Sequence, residues 1–416
     1  MIPKPVRSLW AMLFALTTAF ALSQAWRTVA AIMAAPLQAD FHLSAQALGL
    51  FAGAFHFAFG VMQLFMGIGI DLHGVRRTVL VAFPVAIVGS VVSSMASSFH
   101  MLLLGQILIG MGCAPAFLVC TVFISRHFPA GRFAAVSGIT LGLGGIGMLV
   151  TGTPLAWLIE ATSWRMGFAV LGVMALLAWL LIWRLVHEPA PEPMQLESAL
   201  PKETVRQAFA KFGGLFLLPQ TLGIVLLSSV GYASFITLRG LWLGPLLIER
   251  HDFSLVQSGN VALVMSLASL IGSPLFGRLD PGLAHRRRWI IGFSFLRAGL
   301  FAVFALTSSA WIDVLGPILI GLLSGSLVLQ YADVRAAYPP ALTGRAMGAF
   351  TMAMFLGIAA MQWLTGLVAS IATAHGHDPF TFVMASIAAM LAAGAVAFTL
   401  LPGPGHGLAD HADKTG

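Results

Sequence analysis

The chain has 416 residues, of which 58% are hydrophobic and only 9% charged, with a formal net charge of +7. A water-soluble domain carries roughly a quarter charged residues, so water is not this protein's main solvent. Nucleic acid is set aside as a partner, because the basic residues follow a membrane topology.

Apolar runs recur down the chain at about 20 residues, the length a helix needs to cross a ~30 Å hydrocarbon core. They predict helices over 10–36, 46–70, 78–97, 100–125, 134–157 and 167–187, and again over 220–248, 256–277, 289–309, 311–334, 345–372 and 379–401. The basic start and the small residues within 1–25 have the character of a leader, but the apolar stretch continues to Pro36 and reads as a first span. A stretch rich in proline and acid, His187 to Gln207, divides the halves. The expected organisation is an N-terminal six-helix bundle (1–187), a cytoplasmic linker (188–211), a second six-helix bundle (212–401) and a cytoplasmic tail (402–416). With the N-terminus inside, 17 of the 22 Lys and Arg fall on the inner side, and only Arg165 and Arg250 fall outside. This is the positive-inside asymmetry, and it predicts a multi-pass inner-membrane protein with both termini cytoplasmic.

The halves echo each other. "SRHFPAGRFAAVSG" after the fourth span matches "VRAAYPPALTGRAMG" after the tenth in its order of Arg, Pro and Gly-Arg. "GIGIDLHGVRR" after the second matches "FGRLDPGLAHRRR" after the eighth. The first span of each half carries one intramembrane arginine, Arg27 or Arg239, followed by a proline, Pro36 or Pro245.

"GIGIDLHGVRR" resembles the inner-loop signature of the major facilitator superfamily through Gly67, Asp71, Gly74, Arg76 and Arg77; Leu72 replaces the usual basic residue. The resemblance implies an all-α membrane protein with twelve transmembrane helices in two six-helix bundles related by a pseudo-two-fold axis. It also implies alternating access by rocking of the halves, with the first, fourth, seventh and tenth helices lining the path. The loop residues, with Asp280 in the second copy, are then latches between helix ends and not solute ligands.

A charge at mid-bilayer depth costs from ~3 to over 10 kcal/mol unless it meets water or a partner. All 15 acidic residues fall in loops, near helix ends, or in the linker and tail. Two readings follow for Arg27 and Arg239. Either each bonds backbone carbonyls at a helix break or a misplaced acid, or the two recruit an anion as cargo, which the planar guanidinium fork suits. The favoured reading is the second, with Gln24 and Ser23 one turn before Arg27, Phe20 closing that stripe toward the inside, and Tyr232 and Trp242 flanking Arg239. An arginine on helix one and another on helix seven resembles the organophosphate:phosphate antiporters and the anion:cation symporters.

His56, deep in the second span, reads either as a proton relay or as a packing residue bonded to a carbonyl. Arg297 is expected to snorkel toward the inner surface. Cys113 and Cys120 read as buried small hydrophobes, and the methionines of the eleventh span as packing rather than a copper ladder. The chain lacks the Gly-Pro pattern in helix five and the helix-four arginine usual in drug antiporters. The expected function is therefore transport of a small anion, an organic acid or a phosphate-bearing solute, by a monomer in lipid. Exchange is the expected mode, because no deep carboxylate is available for a proton; symport of a proton through His56 or Asp333, or of sodium, is the other. Efflux of drugs or hydrophobic cargo, and ligand sensing, are the competing readings. No cofactor, metal site or enzymatic constellation is expected.

Overall fold

The computed structural model describes residues 6–129, 132–187, 213–338 and 340–401; the predicted linker (188–211) and tail (402–416) lie outside them. The described residues are helical, without strands, and form twelve helices long and apolar enough to cross a membrane. These spans are Leu9–Phe41, Ala45–Gln63, His73–Ser94, Phe99–His127, Val136–Ala161 and Trp164–Leu185, then Gln220–His251, Leu255–Arg278, Leu283–Leu306, Ala310–Ala337, Arg345–Ala374 and Pro379–Leu400. They are called spans 1 to 12. A bilayer offers no water to an unpaired backbone group, so every apolar run of this length resolves as helix.

Spans 2, 4, 6 and 8 start on one face of the molecule with a serine cap. Ser44, Ser98, Ser163 and Ser254 each accept from the backbone N–H three residues on, and Ser254 forms a reciprocal capping box with Gln257. This is the face predicted to be outside. The two arginines predicted there are both paired. Arg165 donates to Asp40 at 2.8 Å, tying span 6 to span 1. Arg250 pairs with Asp313 at 3.2 Å and with Asp378, tying span 7 to spans 10 and 12. The acid sits at the end of span 1 in one half, and the base at the end of span 7 in the other.

The internal repeat is visible in the backbone on the opposite face. Gly74 (φ 78°, ψ 170°) and Gly282 (φ 77°, ψ 173°) take the same left-handed conformation at the matching turns, where a side chain would be strained. Beyond each turn an arginine reaches the end of the half's last span: Arg76 donates to the Trp183 carbonyl at 3.1 Å, and Arg287 to the Phe398 carbonyl at 2.6 Å.

The halves meet along three seams lined by glycine. A methyl group on Gly53 of span 2 would sit 3.1 Å from the Ala359 carbonyl of span 11. One on Gly152 of span 5 would sit 2.9 Å from Leu263 of span 8, and one on Gly240 of span 7 would sit 3.0 Å from the Arg27 carbonyl. These contacts run from mid-depth to the capped face. Toward the other face the same helix faces separate. Gly138 and Gly142 continue the stripe of Gly145, and Gly348 continues that of Phe355 and Ala359, yet none of the three has a described neighbour within 4 Å of where its side chain would begin. The two bundles are therefore closed on the capped face and part toward the face at which span 1 begins.

Candidate functional site

Arg27 is buried, with 7% of its surface exposed, at the level where spans 2 and 11 close on span 1. Its guanidinium carbon lies 4.8 Å from the ring centre of Phe59 on span 2 and 4.6 Å from that of Phe355 on span 11. Desolvated cation–π contacts of this kind stabilise by ~2 kcal/mol or more, which offsets only part of the cost of a charge at this depth. The Tyr232 hydroxyl of span 7 faces the guanidinium. Nε makes no hydrogen bond, and among the described residues no carboxylate pairs with the group.

Other polar atoms gather there without partners. Ser23 Oγ, Gln24 Oε1, His56 Nε2 and both terminal atoms of the Gln362 amide are buried and unbonded. Ser23 neighbours Cys113, and His56 neighbours Gln362. A buried polar atom left unpaired costs about 1–3 kcal/mol, so this cluster weighs against stability unless a partner meets it. Chemically the set offers one cation, several neutral donors and acceptors, and two aromatic faces.

Arg239 is placed differently. It is fully buried in a wide turn, Leu238–Trp242, where the helix of span 7 loosens into π geometry. Its side chain crosses the seam between spans 8 and 5: Nε donates to Ser266 Oγ at 2.9 Å, and Nη2 donates to the Met148 carbonyl at 2.9 Å and faces Thr151 Oγ1 at 3.5 Å. Span 5 breaks at Thr151–Gly152, which frees that carbonyl, and Thr151 also bonds Thr28 of span 1 at 2.6 Å. In this conformation the two guanidiniums, expected to converge on one solute, enter different seams. They share no contact, and two of the three nitrogens of Arg239 are occupied by the protein. Another expected ligand on span 7, Trp242, also turns away, donating to Thr365 Oγ1 at 2.9 Å and meeting the edge of Phe380.

His56 and Tyr232 lie close to Arg27 and Gln24 is buried one turn before it on span 1, whereas Phe20 packs on Phe117 of span 4. Phe59 and Phe355 are the contacts the sequence reading missed. The spacing Gly49, Gly53, His56, Gly60 would have revealed the face of span 2 that meets span 11, with Phe59 beside it. Arg297 requires a correction. It does not snorkel: it is 1% exposed and donates to the Gly231 carbonyl of span 7 at 2.8 Å, a backbone group that glycine leaves unshielded.

In the loop motifs, the surroundings of Gly67 and the side chain of Asp71 lie outside what the structure describes, and Arg77 is exposed. In the second copy Asp280 binds Arg286 through both oxygens, at 3.0 and 2.7 Å, and Arg286 reaches the Ala332 carbonyl of span 10 at 3.4 Å. The hydrogen bonds from Arg286 hold the Asp280 carboxyl below the usual carboxylate range.

Two bundles of six spans related by a repeat, closed on one face around a buried polar cluster, define a transporter architecture. Residues 15–362 match the model of the Major Facilitator Superfamily, and the chain belongs to that family. It is 28% identical over 179 residues to a hexuronate transporter of Bacillus subtilis (strain 168), covering 43% of this chain and 42% of that one. It is 24% identical over 262 residues to a probable sulfoacetate transporter of Cupriavidus necator, covering 61% of each. The matches thus span about two-fifths and three-fifths of these relatives' lengths. A probable sugar efflux transporter of Helicobacter pylori (strain G27) is 25% identical over 288 residues, 68% of this chain and 69% of its own. Among solved structures, a D-xylose-proton symporter superposes with a TM-score of 0.75 at 15% identity over 96% of this chain and 99% of that one, a likeness of fold.

Proposed function

We propose that this chain moves a small organic anion across the bacterial-type inner membrane by alternating access, with Arg27 as the cationic contact between the two bundles. The observation that carries the reading is a guanidinium buried at the junction of spans 1, 2, 7 and 11 with no carboxylate among the described residues to neutralise it. A bound carboxylate, sulfonate or phosphate supplies that charge, and the planar fork can hold two of its oxygens. Gln24, Gln362 and Tyr232 serve the rest of the solute. Two relatives are named for anions, a hexuronate and sulfoacetate, which supports the same class. Arg239 acts as a strut of the opposite seam in this state. With both termini cytoplasmic, as the charge asymmetry predicts, the conformation described is open to the cytoplasm.

A second reading is efflux of a neutral sugar, favoured by relatives of that name that match over two-thirds of their length. The two are separated by thermal shift of the purified protein against hexuronates, sulfoacetate, organophosphates and neutral sugars, followed by counterflow in proteoliposomes. The anion reading expects stabilisation and counterflow with an anion, and loss of both in Arg27→Gln. Stabilisation by neutral sugars alone, or normal anion counterflow in Arg27→Gln, overturns it.

A further inference from the structure

Span 2 presents Gly49, Gly53, His56 and Gly60 on one face, at helical spacings of four, three and four residues. The three glycines press that face onto span 11: Gly49 meets the Gln362 carbonyl, Gly53 the Ala359 carbonyl and Gly60 the Phe355 side chain. His56 is the one ionisable residue in this row, and it lies in a seam that must part whenever the bundles rock. It is 1% exposed.

The tautomer follows from its bond. Nδ1 lies 3.1 Å from the Ala52 carbonyl, which can only accept, so Nδ1 carries the hydrogen. The lone pair of the neutral ring is then on Nε2, and Nε2 is buried without a partner. The ring lies parallel to Phe355, with centroids 6.3 Å apart, and Phe355 is also the ring beneath Arg27. Gln362 stands beside the imidazole with both amide atoms unbonded.

The groups that face His56 decide what it can do. Span 1 contributes Arg27, close enough for the two charges to interact. Around the same guanidinium stand Cys113 of span 4, Tyr232 of span 7 and Tyr331 of span 10, all neutral at physiological pH when undisturbed. Span 11 offers Gln362 and no ionisable side chain at this level, and no described acid approaches. Asp333 of span 10 is flanked by Arg286 and Arg287. A second cation beside Arg27 is therefore opposed, by a repulsion several times stronger than in water. An anion on Arg27 reverses the sign of that interaction.

Resting on the anion reading above, we infer that His56 is the coupling-proton site: a proton on Nε2 and an anion on Arg27 bind as a pair and cross together. Nε2 takes the proton from solvent on the open side. The N–H so formed points to Gln362 Oε1 or to the anion. The proton returns to water after the seam has parted on the other side, and His56 regains its neutral tautomer. A monoanion carried in this way moves no net charge, which removes a cost of ~2.3 kcal/mol per charge per 100 mV for uptake against an inside-negative potential.

The test counts protons. Full-length protein is titrated calorimetrically with glucuronate and with sulfoacetate at one pH in buffers of different ionisation enthalpy. For the anion that binds, the expected result is net uptake of one proton and an affinity that rises about tenfold per unit fall in pH while the site is neutral. His56→Gln and His56→Asn, which keep an amide donor for the Ala52 carbonyl, are expected to flatten the pH profile and bring the proton count to zero. Anion binding by the unaltered protein without proton uptake overturns the inference and leaves the anion reading standing. An unchanged proton count in a folded His56 variant overturns it too. Failure of the unaltered protein to bind any anion overturns both.

Discussion

The seam between spans 2 and 11 and the seam between spans 8 and 5 are related by the internal repeat, and each receives an arginine from the first span of one half. The first leaves its cation between two phenylalanine rings with Nε unbonded. The second meets its cation with Ser266 Oγ, the Met148 carbonyl and Thr151 Oγ1. The difference arises from the backbone. Span 5 breaks at Thr151–Gly152 and releases a carbonyl at mid-depth, whereas span 11 runs unbroken from Pro340 to Ala374 and offers the seam only side chains. Two buried guanidiniums at matching positions therefore need not share a function. The one facing aromatic rings remains able to take an oxyanion, and the one facing a broken helix holds the bundles together.

Exchange of each arginine for methionine tests that contrast most severely. Arg27→Met removes the proposed charge-assisted bonds to the solute, worth about 1.5–3 kcal/mol, and anion affinity is expected to fall by about ten- to 150-fold. Arg239→Met removes three contacts inside the protein but also an uncompensated buried charge, two effects of similar size and opposite sign. Its stability is expected to stay near that of the parent and its anion affinity within about threefold, while span 5 loosens from span 8. Isothermal titration and hydrogen exchange in span 5 measure the two. Equal losses of affinity in both variants would restore the paired grip.

Replacing glycine in either seam gives a smaller effect. Gly53→Val puts branched atoms where a first methyl group already lies 3.1 Å from the Ala359 carbonyl. Overpacking of this kind costs roughly 1–3 kcal/mol, charged only to the state in which spans 2 and 11 touch. The population is expected to move toward the conformer open on the capped face, read as faster labelling of a cysteine placed at Ala359. Gly152→Val acts on the other seam in the same direction. No change in labelling would mean that these seams do not part during the cycle.

The twelve spans, their order and the repeat were legible in the sequence because the bilayer imposes length and apolarity on every crossing helix. Observed ends differ from expectation mainly by extension. Span 9 begins at Leu283 instead of 289, since "AHRRR" continues the helix beyond the apolar run and lets Arg287 reach the Phe398 carbonyl. That Arg27 and Arg239 lie within their spans was legible as well, and both are buried; the directions of their side chains were not legible. Direction depends on which helix faces a neighbour and where its backbone is free. The first was encoded in the Gly49, Gly53, Gly60 row and the second in "VTGTP", Val150 to Pro154, and neither signal is visible in hydropathy. Arg297 teaches the same lesson, because a carbonyl on a glycine-bearing neighbour competes with the membrane surface for a long cationic side chain.

The smallest effect belongs to the loop latches, which lie outside the seams. Asp280 sits in the turn between spans 8 and 9, and hydrogen bonds from Arg286 keep its carboxyl below the ordinary range. A carboxyl whose folded value is depressed contributes stability above its unfolded value and loses it as the pH falls through the folded one. The side chain is about a quarter exposed, so solvent screens the pair and the contribution is held to about 0.5–1 kcal/mol. Asp280→Asn is expected to lower thermal stability slightly at neutral pH and to match the parent once acid has protonated the parent's Asp280. Anion affinity should not change, because the latch touches span 10 at Ala332 and not the polar cluster around Arg27. A large loss of affinity in this variant would place the loop in direct control of the seams, and the contrast between them would then need a cause outside the membrane.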